Sequence, residues 1–165
     1  MCDTMDRMID KVVQMKETYE ELLGLSLRKK DAIDRGDVAD LDRIVEAEEL
    51  LLLHIGSLEN ERRQIAEKTA KENGMEPEDL TLATWPGVDG TRREAVEQLQ
   101  HAFMETLSEI TRVNEINSRL LSIQLEYIRQ VVDAVTDTRR DASYEPDGTA
   151  RPRVSQQTNL LDRTL

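Results

Sequence analysis

Residues 91–135 read TRREAVEQLQHAFMETLSEITRVNEINSRLLSIQLEYIRQVVDAV, and their spacing decides the fold. Val96, Leu99, Phe103, Leu107, Ile110, Val113, Asn117, Leu120, Gln124, Tyr127, Val131 and Ala134 follow one another at gaps of three and four, apart from small slips. That spacing sets them in one stripe along one helix. Roughly 45 residues of helix span about 65 Å, more than the width of a compact domain of this size. Such a stripe needs other helices alongside it. It also carries a polar step, Asn114 and Asn117, just before Leu120 and Leu121.

Upstream, Met5, Met8, Ile9, Val12, Met15, Tyr19, Leu22, Leu23, Leu27 and Ile33 keep a similar spacing and predict a helix over about 3–35. Its methionines suit both irregular core gaps and adaptable binding faces, and the spacing favours core. Gly24 lies inside this helix and is expected at a close helix crossing. Gly36 and Asp37 read as a stop followed by a cap, so a second helix over about 37–73 folds back antiparallel on the first. Its stripe is Leu41, Ile44, Glu48, Leu51, Ile55, Leu58, Arg62, Ile65 and Thr69, with Glu48 and Arg62 expected to lay their stems on the seam and keep their charges wet. Asn73-Gly74 ends it.

A connector over 74–90 contains Pro77, Pro86, Gly87 and Asp89-Gly90. Pro77 is placed to open one short helical turn. Trp85, the chain's only Trp, reads either as a plug for the end of a bundle, the favoured reading, or as an exposed partner contact. Thr91 with Glu94 fits a capping box for the long helix over 91–136. From 137 to 165 the periodicity stops. Five acidic residues balance five basic ones there, and the stretch closes on Leu160, Leu161 and Leu165. The expected architecture is therefore all-α: an elongated antiparallel bundle of two to three long helices over 1–136, then a flexible C-terminal tail over 137–165 with an apolar end.

Composition narrows the function classes. The net charge of −12 over 165 residues repels phosphate backbones, so neither nucleic acid nor an anionic membrane is expected as a partner. At 3% aromatic and 34% charged, the chain suits long solvent-washed helices better than strands or an enzyme pocket. The lone Cys2 has no partner and reads as an incidental reduced thiol. No apolar run nears the ~20 residues of a membrane span, and the acidic N-terminus is not a signal peptide, so a soluble cytoplasmic protein is expected. His54 and His101 sit in no metal-ligand spacing, and Glu97–His101 reads as a surface pair. With no phosphate loop or nucleophile motif, no enzyme activity, catalytic residue, metal or cofactor is expected.

Asn114 and Asn117 admit two readings. A polar residue in a seam fixes helix register at some cost in stability. Alternatively it floors a groove where a partner supplies the missing hydrogen bonds, because a buried amide left unpaired costs roughly 2–7 kcal/mol by transfer estimates.

Several segments together carry a family resemblance. They are Lys29-Lys30-Asp31-Ala32-Ile33-Asp34 with Gly36-Asp37; Leu41, Ile44, Glu48 and Leu51; Leu58-Glu59 with Arg62; Asn114, Asn117 and Leu121 with Leu125, Tyr127 and Ile128; then Tyr144, Asp147-Gly148 and Leu161-Asp162-Arg163. In order and spacing, over nearly the whole chain, this resembles the FlgN-like flagellar export chaperones. The resemblance implies a cytoplasmic type III export chaperone that binds hook–filament junction (hook-associated) proteins, prevents their premature assembly and delivers them for export in flagellum assembly. Implied partners are those junction proteins, through helical segments, and the flagellar export apparatus. Apolar surface left over on a narrow bundle also allows a homodimer. Candidate partner-binding residues are Asn114, Asn117, Leu120, Leu121, Ile128, Val131, Leu160 and Leu161. The rival is a coiled-coil adaptor or scaffold that self-associates through the same seams, with no client.

Overall fold

The structure, a computed structural model, describes residues 2–82 and 84–141, and the side chains of 4–82 and 84–137. It is all-α, with no strand among the described residues. Helix α1 runs Cys2–Arg35, α2 runs Val38–Glu72 and α3 runs Gly90–Asp141. The chain divides into two units, Met1–Glu126 and Tyr127–Leu165, which are described separately. Of the expected tail over 137–165, residues 142–165, including Leu160 and Leu161, lie outside the described residues.

In the first unit, α1 ends where Gly36 takes φ 65°, a conformation costly for any residue with a Cβ. Asp37 then caps α2, its side chain accepting from the Asp40 N–H at 3.0 Å. Helix α2 lies antiparallel to α1: Lys11 pairs with Glu61 at 2.7 Å, and the later Lys29 pairs with the earlier Glu48. Glu48 is therefore paired across the seam rather than wet, its side chain 12% exposed. Arg62 is held within its own helix by Glu59, Nε donating to Oε2 at 3.0 Å. Gly24 marks no crossing, since nothing would meet a Cβ there within 4 Å.

Helix α3 runs parallel to α1. Asn117 Nδ2 donates to the Ser26 carbonyl at 2.9 Å, and Gln124 Nε2 to the Ile33 carbonyl at 3.0 Å; both pairs are 91 residues apart in sequence. A constant offset along two helices means that they run the same way in one register. Tyr19 and Phe103 stack tilted across this pair, ring centroids 5.3 Å apart.

The core lies in two clusters. One joins Met5, Met8 and Val12 of α1 to Ile65 of α2 and Val96 of α3; the other joins Leu22, Ile55 and Ile110. Each such side chain taken fully from water contributes roughly 1.5–3 kcal/mol. Trp85 completes the first cluster at 4% exposure, with Leu80, Leu82 and Val88 beside it. It therefore plugs the bundle, and Met5, Met8 and Met15 of α1 are core. Pro77 opens hydrogen-bonded turns rather than a helical turn, with Asp79 N–H to the Glu76 carbonyl and Leu80 N–H to the Pro77 carbonyl.

The cap of α3 differs from the capping box expected at Thr91. The helix begins at Gly90 and is capped by Asp89, whose Oδ1 accepts from the Arg92 N–H at 2.9 Å. Thr91 is already inside the first turn. Helix α3 also continues to Asp141 rather than 136. The apolar pattern stops at Val135, but a polar stretch without Gly or Pro has no reason to leave the helix.

The apolar stripe changes character along α3. It is buried or half-buried from Val96 to Gln124. An offset of 91 puts Arg35, the last residue of α1, level with residue 126. In the second unit, the expected seam residues Tyr127 and Val131 are exposed, as are Ile128, Val132 and Val135.

Candidate functional site

A groove of about 320 Å³ opens on the first unit where three helices converge. Leu22, Ser26 and Lys29 come from α1, Glu48 and Leu52 from α2, and Asn114, Asn117, Ser118 and Leu121 from α3. Leu22, Ser26 and Lys29 are spaced four and three apart, as are Asn114, Ser118 and Leu121, so each helix presents one face to the groove.

Its floor is polar. Asn117 is 3% exposed and spends its NH₂ group on the Ser26 carbonyl. Asn117 Oδ1 and Ser26 Oγ are buried with no hydrogen-bond partner. Other buried hydroxyls behave differently: Thr18 donates to the Gln14 carbonyl at 2.8 Å and Thr69 to the Ile65 carbonyl at 2.9 Å. The unsatisfied pair thus coincides with the open groove, in a fold where buried polar groups are ordinarily bonded. The Lys29–Glu48 ion pair adds two opposite charges to the lining.

The residues singled out from sequence are distributed as follows. Asn114, Asn117 and Leu121 meet in the groove; Asn117 lies on the floor and Asn114 is exposed. Leu120 is half-buried and does not line it. Ile128 and Val131 belong to the second unit, where they stand 52% and 45% exposed. Leu160 and Leu161 lie outside the described residues. Leu22, Ser26, Lys29, Glu48, Leu52 and Ser118 escaped notice as site residues. One signal pointed to Ser26, a small polar residue between Leu22 and Ile33 at core spacing.

A second hollow of about 370 Å³ lies beside Trp85, against Thr69, Asn73 and Arg92. Its polar lining is already engaged: Asn73 Nδ2 donates to the Thr69 carbonyl, and Arg92 faces Asp6 at 3.7 Å. The charged surface pairs are ordinary. Arg112, through its hydrogen bonds, holds the Glu109 carboxyl below the usual range, and Arg62 does the same to Glu59. His101 Nδ1 lies 3.6 Å from Glu105, not beside Glu97 as the spacing suggested. Among the described residues, no group of His, Cys, Asp and Glu could hold a metal, and no helix is long and apolar enough to cross a membrane.

The family described as "FlgN protein" matches residues 1–152. A relative in Bacillus subtilis (strain 168), named "Uncharacterized protein YvyG", is 24% identical over 154 residues, covering 93% of this chain and 94% of that protein. No solved structure matches.

Proposed function

Since the chain belongs to the FlgN family, we propose that it is a cytoplasmic export chaperone for hook–filament junction proteins, keeping them unassembled and delivering them to the flagellar type III export apparatus. The observation that carries this reading is the three-helix groove, whose lining runs across α1, α2 and α3. An amphipathic helix laid across such a groove buries part of its own apolar stripe. Client segments that become helical only on assembly have that stripe to hide. In the second unit, Ile128, Val131, Val132 and Val135, spaced i, i+3, i+4 and i+7 and all exposed, offer another row on which a client helix can rest. Asn114, Asn117 and Leu121 are the groove contacts in this reading, and Ile128 and Val131 belong to the exposed row. Leu120, half-buried next to Leu121 in the chain, and Leu160 and Leu161 in the tail would add apolar surface.

The test is co-expression of the full chain with each candidate junction protein, followed by size-exclusion chromatography with light scattering. A soluble complex at one-to-one or two-to-two stoichiometry is expected, and Leu121→Asp should abolish it while circular dichroism stays helical. A chain that elutes only with itself in every case supports the self-associating adaptor instead.

A further inference from the structure

The groove floor specifies more about its occupant than a helical shape. Asn117 Oδ1 and Ser26 Oγ lack partners, and their residues are 3% and 1% exposed. The Asn117 amide cannot be turned to relieve this, because its NH₂ is held by the Ser26 carbonyl at 2.9 Å and the reversed amide would set oxygen against oxygen. What remains on Asn117 is an acceptor, while the Ser26 hydroxyl both donates and accepts.

Resting on the reading that the groove receives a client helix, we infer that this helix carries an inward-facing carboxamide, an Asn or Gln, level with Asn117. Its NH₂ donates to Asn117 Oδ1, and its oxygen accepts from Ser26 Oγ. One planar group thereby satisfies both orphaned atoms. A carboxylate offers Asn117 Oδ1 no donor. A hydroxyl could serve both atoms only from a single point within reach of each, so a client Ser or Thr in this role is the competing outcome. An ammonium donates but cannot accept, so it leaves the Ser26 hydroxyl proton unpaired. Both oxygens are buried in the free chain, so docking must part the groove faces of α1 and α3 enough to reach them while the Asn117–Ser26 bond is kept. A single polar layer in an apolar seam also fixes which heptad sits where, so the carboxamide sets the register of the client.

Charge fits the same occupant. Lys29 and Glu48 neutralise each other, whereas Glu49, one position from Glu48, and Glu115, three before Ser118, are exposed on the two outer helices. With the chain at −12, the occupant's flanks should carry Lys or Arg rather than further acids.

The test uses the full chain and the junction protein that it captures. Inward polar residues of the client's binding helix are changed to Leu one at a time, and Kd is measured by calorimetry against the wild-type chain and against Asn117→Leu. One Asn or Gln is expected to weaken wild-type binding at least tenfold when replaced, and less than threefold in the Asn117→Leu background. Ser26→Ala, which removes only a hydroxyl, serves in place of Asn117→Leu should that variant fold poorly. Losses below threefold at every client Asn and Gln, a tenfold loss at a Ser or Thr instead, or equal losses in both backgrounds overturn the inference while leaving the chaperone reading intact. Failure to capture any junction protein removes both.

Discussion

The amide of Asn117 on α3 hydrogen-bonds the backbone carbonyl of Ser26 on α1 at 2.9 Å. Gln124, seven residues on, repeats the contact with the carbonyl of Ile33, seven residues on. Two amides at one offset set the pairing of these parallel helices, because any slip must break both bonds together. Carbonyls already used within α1 retain a second lone pair, which is what these amides take.

Ser26→Ala should stabilise the free protein. The hydroxyl is buried and unpartnered, and Ala is the better helix former by a few tenths of a kcal/mol. Removing an unsatisfied buried polar group recovers about 1 kcal/mol or more. Urea denaturation at pH 7 should show a higher midpoint with an unchanged slope; a lower midpoint would mean that the hydroxyl has a partner in solution.

Asn117→Asp should be strongly destabilising at neutral pH, by about 3 kcal/mol or more. It replaces the donating NH₂ with a second oxygen facing the Ser26 carbonyl, in a residue 3% exposed. Asn117→Leu should cost far less, within about 1 kcal/mol, because it removes one made bond together with one orphaned oxygen. Equal losses for the two would contradict the burial of this side chain.

Trp85→Ala should cost about 3–5 kcal/mol, as large buried aromatics do. The residue closes the cluster of Met5, Met8, Val12, Ile65 and Val96. As the chain's only Trp, it also reports on itself: emission should be blue-shifted in the folded protein and move to the red on unfolding. Red emission before unfolding would place it in water.

Ile128→Asp and Val132→Asp should separate stability from binding. Both residues are more than half exposed, so thermal unfolding should move little, within about 0.5 kcal/mol. Capture of a junction protein should fall at least tenfold with either variant. Normal capture by folded variants would remove this row from the client surface.

Acid should weaken the Glu59–Arg62 pair in a defined direction. Hydrogen bonding from Arg62 lowers the Glu59 pKa in the folded state. Its stabilisation is therefore present in full above the ordinary glutamate value and is lost as pH falls through the folded value. Wild type and Glu59→Gln should differ slightly at pH 7, as befits a surface pair, and converge below about pH 4. A gap that widens toward acid would reverse the sign.

The helices were legible because three- and four-residue gaps survive even where Glu48 and Arg62 interrupt them, and because Gly36 and Asn73-Gly74 end α1 and α2 unambiguously. The register was not legible. Asn117 announced a polar layer, yet nothing in the spacing said whether it would meet a side chain, a backbone carbonyl or a partner. The groove needed Ser26 and Leu52, from helices whose own patterns point mainly elsewhere. Nor did the stripe on α3 announce where its burial ends. Tyr127 and Val131 fall on the same heptad rhythm as Val113, and only the position of Arg35 against residue 126 distinguishes them.

The paired amides also free the link between α2 and α3 from a structural duty. Because Asn117 and Gln124 dock α3 like two studs on a rail, the segment from Asn73 to Asp89 need not measure out where that helix lies. Lengthening it around Glu78, an exposed position, should leave the assembly in place. One residue added between Phe103 and Asn117 would instead turn both studs by about 100° and lift them from their sockets.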